Sequence, residues 1–524
     1  MWRDEIRNGI GKKIIEITVL CICLLVTVLG WNGGFFLPRW IDWKCGTSVD
    51  ASGQYEIFLK RRTVDVVYDN NVIWTTPKDI KVQDALFCDI DGDEADELVL
   101  LCWKIGRFGT GRPFWVEEDE ETWSQHIFVY SCEGGTVKPK WMSSYIGVDV
   151  AGMAASDHRG SLMGGMTERG GAVGQRSGST ARHNAEWRRQ HLLLTDLDGK
   201  MSSWVWESWG FTKEDTDISF VAFGDNLIHE PIYQYGLHNN NTNSNDNPNF
   251  DFLFEKKKIE NAIAASDIAI INQETPFTDN PARYSGYPRF GTPTGVGEAI
   301  VDVGFDVVTC ATNHVLDQGV DGVDFTKGFF DSRDILCIGI QSGEEEEYRP
   351  YEILVKGGVR IALFNYTYGI NGSGIPQDIS CRVHMLNDEE RIRADIAKAC
   401  AETDFVIVFA HWGTEYEQEP DELQRKWSQI FLESGVDAVV GTHPHVLQPY
   451  EVLQGEDGHE MLVYYSIGNY ISAQAEQFCV KGGMAQFTVS LTPDGYRITE
   501  YTLQPLVITR QEDGKYTVDF LKEP

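Results

Sequence analysis

Short apolar runs, each ending abruptly in a polar block, recur through the second half of the chain. Phe405–Ala410 runs into His411-Trp412-Gly413, and Val436–Val440 into Gly441-Thr442-His443-Pro444-His445. Ile218–Phe223 precedes Gly224-Asp225-Asn226, Ile268–Ile271 precedes Asn272-Gln273-Glu274-Thr275-Pro276, and Val307–Cys310 precedes Ala311-Thr312-Asn313-His314. Runs with little polar alternation are what strands covered on both faces require. Between them the pattern predicts helices over Phe252–Ser266, Gly295–Val303, Val320–Arg333, Asp388–Glu402 and Glu422–Ser434, with late strands at Leu462–Tyr465 and Met484–Leu491. This alternation predicts an α/β domain over residues 217–505, with 506–524 left as a C-terminal tail.

The first half is patterned differently. Tyr55–Leu59, Val64–Tyr68, Leu98–Trp103 and His126–Tyr130 are short strand-like runs divided by polar turns, so residues 45–210 read as a β-rich region. Within it, Asp89-Ile90-Asp91-Gly92-Asp93-Glu94-Ala95-Asp96-Glu97 places Asp89, Asp91, Asp93 and Glu97 on a tight loop. These are the hard oxygen ligands that Ca²⁺ takes; a solvated acidic turn is the alternative. Residues 151–189 turn to Gly, Ser, Met and Arg without lysine, too little apolar area to offset ordering, and read as a disordered insertion.

The N-terminus adds a membrane question. Arg3, Arg7, Lys12 and Lys13 precede the apolar run Ile14–Leu29, and Gly30–Phe36 extends it with aromatics. Residues 14–36 are expected to form a single-pass transmembrane signal anchor, with 1–13 cytoplasmic and the bulk of the chain on the outer face of a bacterial cell membrane. A buried core helix is the competing reading.

Composition narrows the classes further. The 524 residues are 42% hydrophobic and 24% charged, ordinary for globular protein, but the net charge is −34. That balance excludes a general nucleic-acid binder, whose phosphate contacts need a basic face. The eleven cysteines contain no CxxC pair and make a poor disulfide framework, although one or two bridges stay open. No Gly-x-x-x-x-Gly-Lys-Ser/Thr loop and no Gly-x-Ser-x-Gly elbow occur.

In open α/β sheets ligands bind at the carboxyl ends of the strands, which is where the five polar blocks fall. Asp225 and Glu274 offer carboxylates, Asn313 a carbonyl, and His411, His443 and His445 imidazole nitrogens. This mixed set suits one or two divalent transition-metal ions (Mn, Fe or Zn) and metal-assisted hydrolysis. Asp225 and His314 are the candidate catalytic residues, His314 as a proton donor to a leaving group. Arg289 is a candidate clamp for a carboxylate or phosphate, and Glu415 a further substrate-side group. For Asn313 alone a satisfied turn residue competes; for Arg289 and Glu415, an ordinary solvated surface.

Six blocks in order carry a family resemblance: Phe223-Gly224-Asp225-Asn226-Leu227, Asn272-Gln273-Glu274-Thr275-Pro276, Thr312-Asn313-His314 with Asp317-Gln318-Gly319, His411-Trp412-Gly413-Thr414-Glu415-Tyr416, His443-Pro444-His445, and Tyr465-Ser466-Ile467-Gly468-Asn469-Tyr470. Together they resemble the capsule-synthesis CapA family of poly-γ-glutamate biosynthesis, whose domain is similar to calcineurin-like metallophosphoesterases. The resemblance covers about Asp217–Gln504 and implies metal-ligating roles for the Asn-His and His-x-His elements. The Asp-x-His first motif of those phosphoesterases is absent; Gly224-Asp225 stands there, with His229 four residues on. The Asp89–Leu100 stretch resembles the calcium loop of FG-GAP/VCBS repeats, with a weaker echo at Leu194–Gly199, which implies propeller-like blades. Three functions compete: a metal-dependent hydrolase or transferase in production or export of poly-γ-glutamate or a related anionic polymer, a non-catalytic polymer-binding or assembly component beside other capsule-synthesis membrane proteins, and a plain phosphodiesterase unrelated to capsule.

Overall fold

The computed structural model describes residues 30, 34 and 37–521, except 94, 107–121, 144–145, 157–161, 164–189, 208–209, 215–216, 239–248, 346, 373–378 and 493–494. The expected membrane span at 14–36 falls almost wholly outside the described residues; no described helix is long and apolar enough to cross a membrane. The nine cysteines among the described residues are free thiols. The chain divides into two units, Met1–Glu214 and Asp215–Pro524.

The first unit contains three antiparallel sheets. Gly46–Val49, Tyr55–Lys60, Thr63–Tyr68 and Asn71–Thr75 make one, and Lys81–Cys88, Glu97–Ile105, Trp123–Glu133 and Thr136–Met142 a second. The third joins Leu162–Met163, Val150–Ser156, His191–Asp196, Met201–Glu207 and Gly210–Lys213. Alternation explains the packing of Tyr55–Lys60, where Tyr55, Ile57 and Leu59 are buried. The strand Glu97–Ile105 is apolar from Leu98 to Trp103 because it serves two cores. Leu98 and Leu100 pack with Val64 and Val66, while Val99 and Leu101 pack with Leu192 and Leu194.

One expectation is corrected here. Residues 151–156, assigned to a disordered insertion, belong to the strand Val150–Ser156, which pairs with His191–Asp196 and buries Met153 and Ala155. Small residues on a strand fill a narrow space between sheets without β-branching, so composition alone misled. The remainder of 151–189, apart from Leu162–Met163, lies outside the described residues.

The second unit stacks two mixed sheets face to face. The first runs β1 (Ile218–Asn226), β2 (Ile268–Gln273), β3 (Val307–Thr309) and β4 (Leu336–Ile338) in the order β4-β3-β2-β1, all parallel. The second sheet is built from β5 (Glu352–Lys356), β6 (Val359–Thr367), β7 (Phe405–His411), β8 (Ala438–Thr442), β9 (Tyr450–Gln454) and β10 (Glu460–Tyr464), ordered β5-β6-β7-β8-β10-β9. Its inner strands β6, β7, β8 and β10 are parallel. The first sheet is completed by β11 (Asn469–Ile471), which pairs with β1, and by β12 (Lys481–Thr492), β13 (Gly495–Arg510) and β14 (Tyr516–Phe520) on the far side of β1.

Strand periodicity then sorts side chains into layers. Phe220, Ala222, Ile268 and Ile270 meet Ile407, Phe409, Ala438 and Val440 between the sheets. The alternate residues Val221, Phe223, Ala269 and Ile271 face a cluster with Ile232, Ile259, Ile300 and Phe330. Those come from the helices α1 (Glu230–His238), α2 (Lys257–Ala265), α3 (Thr294–Val303) and α4 (Gly319–Asp331). On the opposite side Val406, Val408 and Ala410 pack with Ile392, Ile396, Trp427 and Phe431. These belong to α5 (Glu389–Glu402) and α6 (Glu422–Ser434). α6 starts at a capping box between Asp421 and Gln424 and ends on Gly435 in the left-handed region. The helix–sheet–sheet–helix layering accounts for the doubly buried strands.

The expected tail is also corrected. Leu506 and Ile508 continue β13, and Tyr516 and Val518 of β14 join the same core as Phe223. β13 is buried only at Leu506 and Ile508 and is otherwise half-buried or exposed, so most of it reads as a surface segment.

Candidate metal centre

Five strand ends from the two sheets bring the polar blocks to one place. Asp225 lies at the end of β1, Glu274 just beyond β2, Asn313 beyond β3, His411 at the end of β7, and His443 and His445 beyond β8. All six are buried, although their types are mostly found at surfaces. Close approach of the backbones makes this possible: a Cβ on Gly224 would stand 1.8 Å from the Gly468 carbonyl oxygen, so β1 and β11 meet only with glycine there.

The carboxylate of Asp225 is saturated with donors. Asn272 Nδ2 donates to its Oδ1 at 2.8 Å, and the His443 backbone N–H to its Oδ2 at 3.2 Å. His445 Nδ1 lies 3.1 Å from the same Oδ2 and 3.0 Å from Asn469 Oδ1. Two oxygen acceptors fix the proton on Nδ1 and leave Nε2 turned to Glu274 Oε1 at 3.8 Å. Burial opposes charge on His445, but the Glu274 and Asp225 carboxylates outweigh it and raise its pKa to about 9.

Glu274 is the opposite case. Neither of its buried carboxylate oxygens has a hydrogen-bond partner among the described residues. Burial, reinforced by Asp225, pushes it well above the ordinary carboxylate range. His411 Nε2 is 3.8 Å from Glu274 Oε1 and 3.0 Å from Asn313 Oδ1, and its Nδ1 is 3.0 Å from Thr442 Oγ1. His443 Nδ1 is buried without a partner among the described residues, and its ring lies tilted against Tyr368 with centroids 4.6 Å apart. Burial holds both His411 and His443 well below the usual imidazole value, reinforced at His411 by His443 and then His445, and at His443 by His445.

Orphaned carboxylate oxygens beside the neutral imidazoles of His411 and His443 fit a cation better than they fit one another. Donor atoms of Glu274, His443 and His445 all lie within 4.8 Å of one another, a spacing a shared ion can gather. Isolated buried polar atoms cost about 1–3 kcal/mol each, so a chain gains by supplying them with a ligand. The backbone is strained to present them: His443 and His445 have φ of 97° and 60°, a region that non-glycine residues rarely adopt away from functional sites.

His314 stands at the side of this cluster. Its Nδ1 is 2.7 Å from Asp317 Oδ2, which also accepts the Phe290 N–H at 2.7 Å. Asn371 Nδ2 approaches both ring nitrogens at 3.2 and 3.3 Å, and its backbone N–H donates to Asn313 O at 2.8 Å. The candidate substrate groups fare less well. Arg289 is exposed on the loop whose neighbour Phe290 packs on the His314 ring. Glu415 is exposed too, and its charge helps to raise Glu274 and His445, which puts it at the rim. His229 does not stand in for the missing motif histidine: its Nδ1 lies 3.2 Å from Leu227 O and accepts the Ala473 N–H at 3.3 Å.

Several supporting residues were not singled out from sequence. Asn272, Thr442 and Asn469 orient the ligands, Asp317 orients His314, and Tyr368 covers His443. Asn469 and Asp317 lie inside recognised blocks; Asn371 and Tyr368 come from the segment after β6, where no motif marks them.

In the first unit, Asp89, Asp91 and Glu97 gather within 4.8 Å, but Asp93 turns away to accept the Ala95 N–H at 2.9 Å. Lys140 Nζ lies 2.5 Å from both Asp91 Oδ2 and Glu97 Oε1. The expected four-carboxylate calcium set is therefore reduced to three, two of them already paired with an ammonium.

The second unit is thus a layered α/β domain with a buried carboxylate–imidazole cluster of the metal-binding kind. Residues 219–474 match the family model described as bacterial capsule synthesis protein PGA_cap. The chain is 28% identical over 288 residues to the PGA biosynthesis protein CapA of Bacillus subtilis (strain 168), covering 50% of this chain and 74% of that protein. It is 29% identical over 185 residues to the capsule biosynthesis protein CapA of Bacillus anthracis, covering 34% and 42%. These matches support the CapA family for this segment. Looser overlaps join it to solved structures: calcineurin-like phosphoesterase YfkN from Bacillus subtilis (16% identity, TM-score 0.33, 55% of this chain and 90% of that one) and the NAD nucleotidase of Haemophilus influenzae (13%, 0.35, 59% and 60%).

Proposed function

We propose that this chain is a CapA-like protein of capsular poly-γ-glutamate or related anionic-polymer production, with a metal-dependent hydrolase or transferase centre at Glu274, Asn313, His411, His443 and His445. The observation that carries it is the Glu274 carboxylate, buried and unpartnered between His411 and His445. Two relatives are named for PGA or capsule biosynthesis, which supports the polymer as substrate class.

A divalent transition ion held there would supply Lewis acidity and lower the pKa of a bound water. The chain's own residues do the rest. Asp225 holds His445 by its Nδ1 and the His443 backbone by its N–H, so its role is positioning. Asp317 takes the Nδ1 side of His314 and leaves Nε2 to deliver or receive a proton at the substrate. Arg289 and Glu415 remain rim groups for an acidic chain. We place the protein on the outer face of a membrane through residues 14–36, and read the three sheets of the first unit as propeller-like blades serving as a partner platform.

A non-catalytic polymer-binding reading has one observation in its favour: Asp225, the single carboxylate at the first strand, is already saturated, and no Asp-x-His pair accompanies it. Elemental analysis of the purified chain beside His443→Ala/His445→Ala separates the two. One or two transition ions per chain, lost in the variant, support the enzyme; no metal in either after reconstitution with Mn or Zn leaves the binding reading.

A further inference from the structure

A second polar cavity lies in the same unit, at the carboxyl end of β6 beside the first turn of α5. It measures about 370 Å³ and is lined by Tyr348, Tyr366, Arg382, His384, Asp388 and Arg391, within the range of small-molecule sites. His384 is 6% exposed and Tyr366 1% exposed. Neither nitrogen of His384 and not the hydroxyl of Tyr366 has a hydrogen-bond partner among the described residues.

The imidazole cannot swing away to find one. Its backbone N–H donates to Gly339 O at 3.0 Å, and its carbonyl accepts the Thr367 N–H at 2.9 Å. The Tyr348 and Tyr366 rings flank it, with centroids at 5.4 and 6.2 Å. Phenylalanine would fill that space without leaving polar atoms bare, so packing alone does not account for a histidine.

The charges around the cavity favour an acid. The Arg391 guanidinium lies 3.7 Å over the Tyr348 ring, and its Nε is 3.8 Å from Asp395 Oδ2. Arg382 donates to Glu345 O at 2.7 Å. Asp388 is spent as the cap of α5, accepting the Arg391 N–H. Burial, then Arg391, lowers His384 to about 4, so its ring is neutral and offers one donor and one acceptor. The Tyr366 hydroxyl adds a donor. A bare anion would answer the donors and leave the imidazole acceptor empty; a carboxylate with an adjacent N–H answers both.

We infer that this cavity binds an amide-bearing carboxylate, such as the end of a γ-linked acidic chain, through His384, Tyr366 and Arg391. The inference rests on the polymer reading above only for the choice of glutamate as the acid. It is separate from the metal centre, although Tyr366 and Tyr368, two residues apart, reach the cavity and His443 respectively.

The test is calorimetric titration of the full chain with γ-glutamyl-glutamate and, separately, inorganic phosphate. We expect the dipeptide to bind, and Tyr366→Phe and His384→Phe each to weaken it by about tenfold or more. His443→Ala, which strikes the metal centre, should leave that affinity within about twofold. Tyr366→Phe removes an oxygen with no partner and keeps the core, so a folding defect cannot imitate the loss. No dipeptide binding, or binding indifferent to both cavity variants, overturns the proposal and leaves the space to water. Phosphate binding with the same dependence, without dipeptide binding, overturns the amide-bearing assignment. Metal content of the same preparations tests the centre independently.

Discussion

Two carboxylate-bearing clusters in this chain, one a contiguous acidic loop and one gathered from distant strand ends, differ in their chemistry. Around Asp89, Asp91 and Glu97 the fold supplies its own countercharge, the Lys140 ammonium. Around Glu274 it supplies two imidazoles held neutral, His411 and His443, a third raised by the carboxylates, His445, and among the described residues no hydrogen bond. A buried carboxylate with an internal cation is a finished structural unit. One left bare among lone pairs is unfinished until something positive arrives. Counting carboxylates does not separate the two; asking which of them lack partners does.

The comparison breaks most sharply on metal. His443→Ala/His445→Ala should reduce bound transition metal to background, while Lys140→Met should leave it unchanged, both read by elemental analysis. The same pair of sites should respond with opposite signs when the charge is edited. Lys140→Met strands the nearly buried Glu97 and should destabilise its unit by about 1–3 kcal/mol. Glu274→Gln removes a buried acid whose raised pKa makes it costly to keep folded near neutral pH, and should stabilise the metal-free second unit by about 1–2 kcal/mol, seen in thermal melts with chelator present. Equal signs would show that Glu274 is merely another structural acid.

A finer test addresses the residues that hold the ligands. Asn469→Ala frees one acceptor of His445 Nδ1 and should weaken metal affinity by about tenfold, measured by competition with a chelator. The smallest effect concerns a third buried acid. Burial raises Asp84 to about 6 against the opposing Ala85 N–H. A carboxyl raised in the folded state contributes stability below its unfolded pKa and loses it as pH climbs through about 6. Melts of the first unit should therefore fall between pH 4 and 7, and Asp84→Asn should flatten that slope by about 1–2 kcal/mol.

Much of the candidate centre was legible because each of its residues follows an apolar run that had to be a buried strand. Asp225, Glu274, Asn313, His411, His443 and His445 were all marked by that rule, and the fold gathers them. β6 was passed over because no motif follows it, yet its Asn365 accepts the Cys310 and Ala311 N–H groups at 3.0 and 2.7 Å and braces the Asn313 loop. Tyr368 and Asn371 are set beside the centre by tertiary packing, which leaves no local pattern to read. Lys140 is 43 residues from Glu97; nothing local in the acidic loop announces its partner. β14 and the outer half of β13 hide for a simpler reason, since an edge with one wet face resembles a loop.

The left-handed backbone at His443 and His445 has a consequence for the choice of ion at the proposed metal centre. Presentation of those two rings is set by main-chain torsions that only a few side chains tolerate. Exchange for asparagine, aspartate or glycine keeps the path of the chain, because these types accept positive φ. A β-branched residue would be refused by the backbone before its coordination chemistry was ever tried. Retuning toward harder, oxygen-preferring cations is therefore open at these positions, and a directed library there should return Asn and Asp well ahead of Val, Ile or Thr.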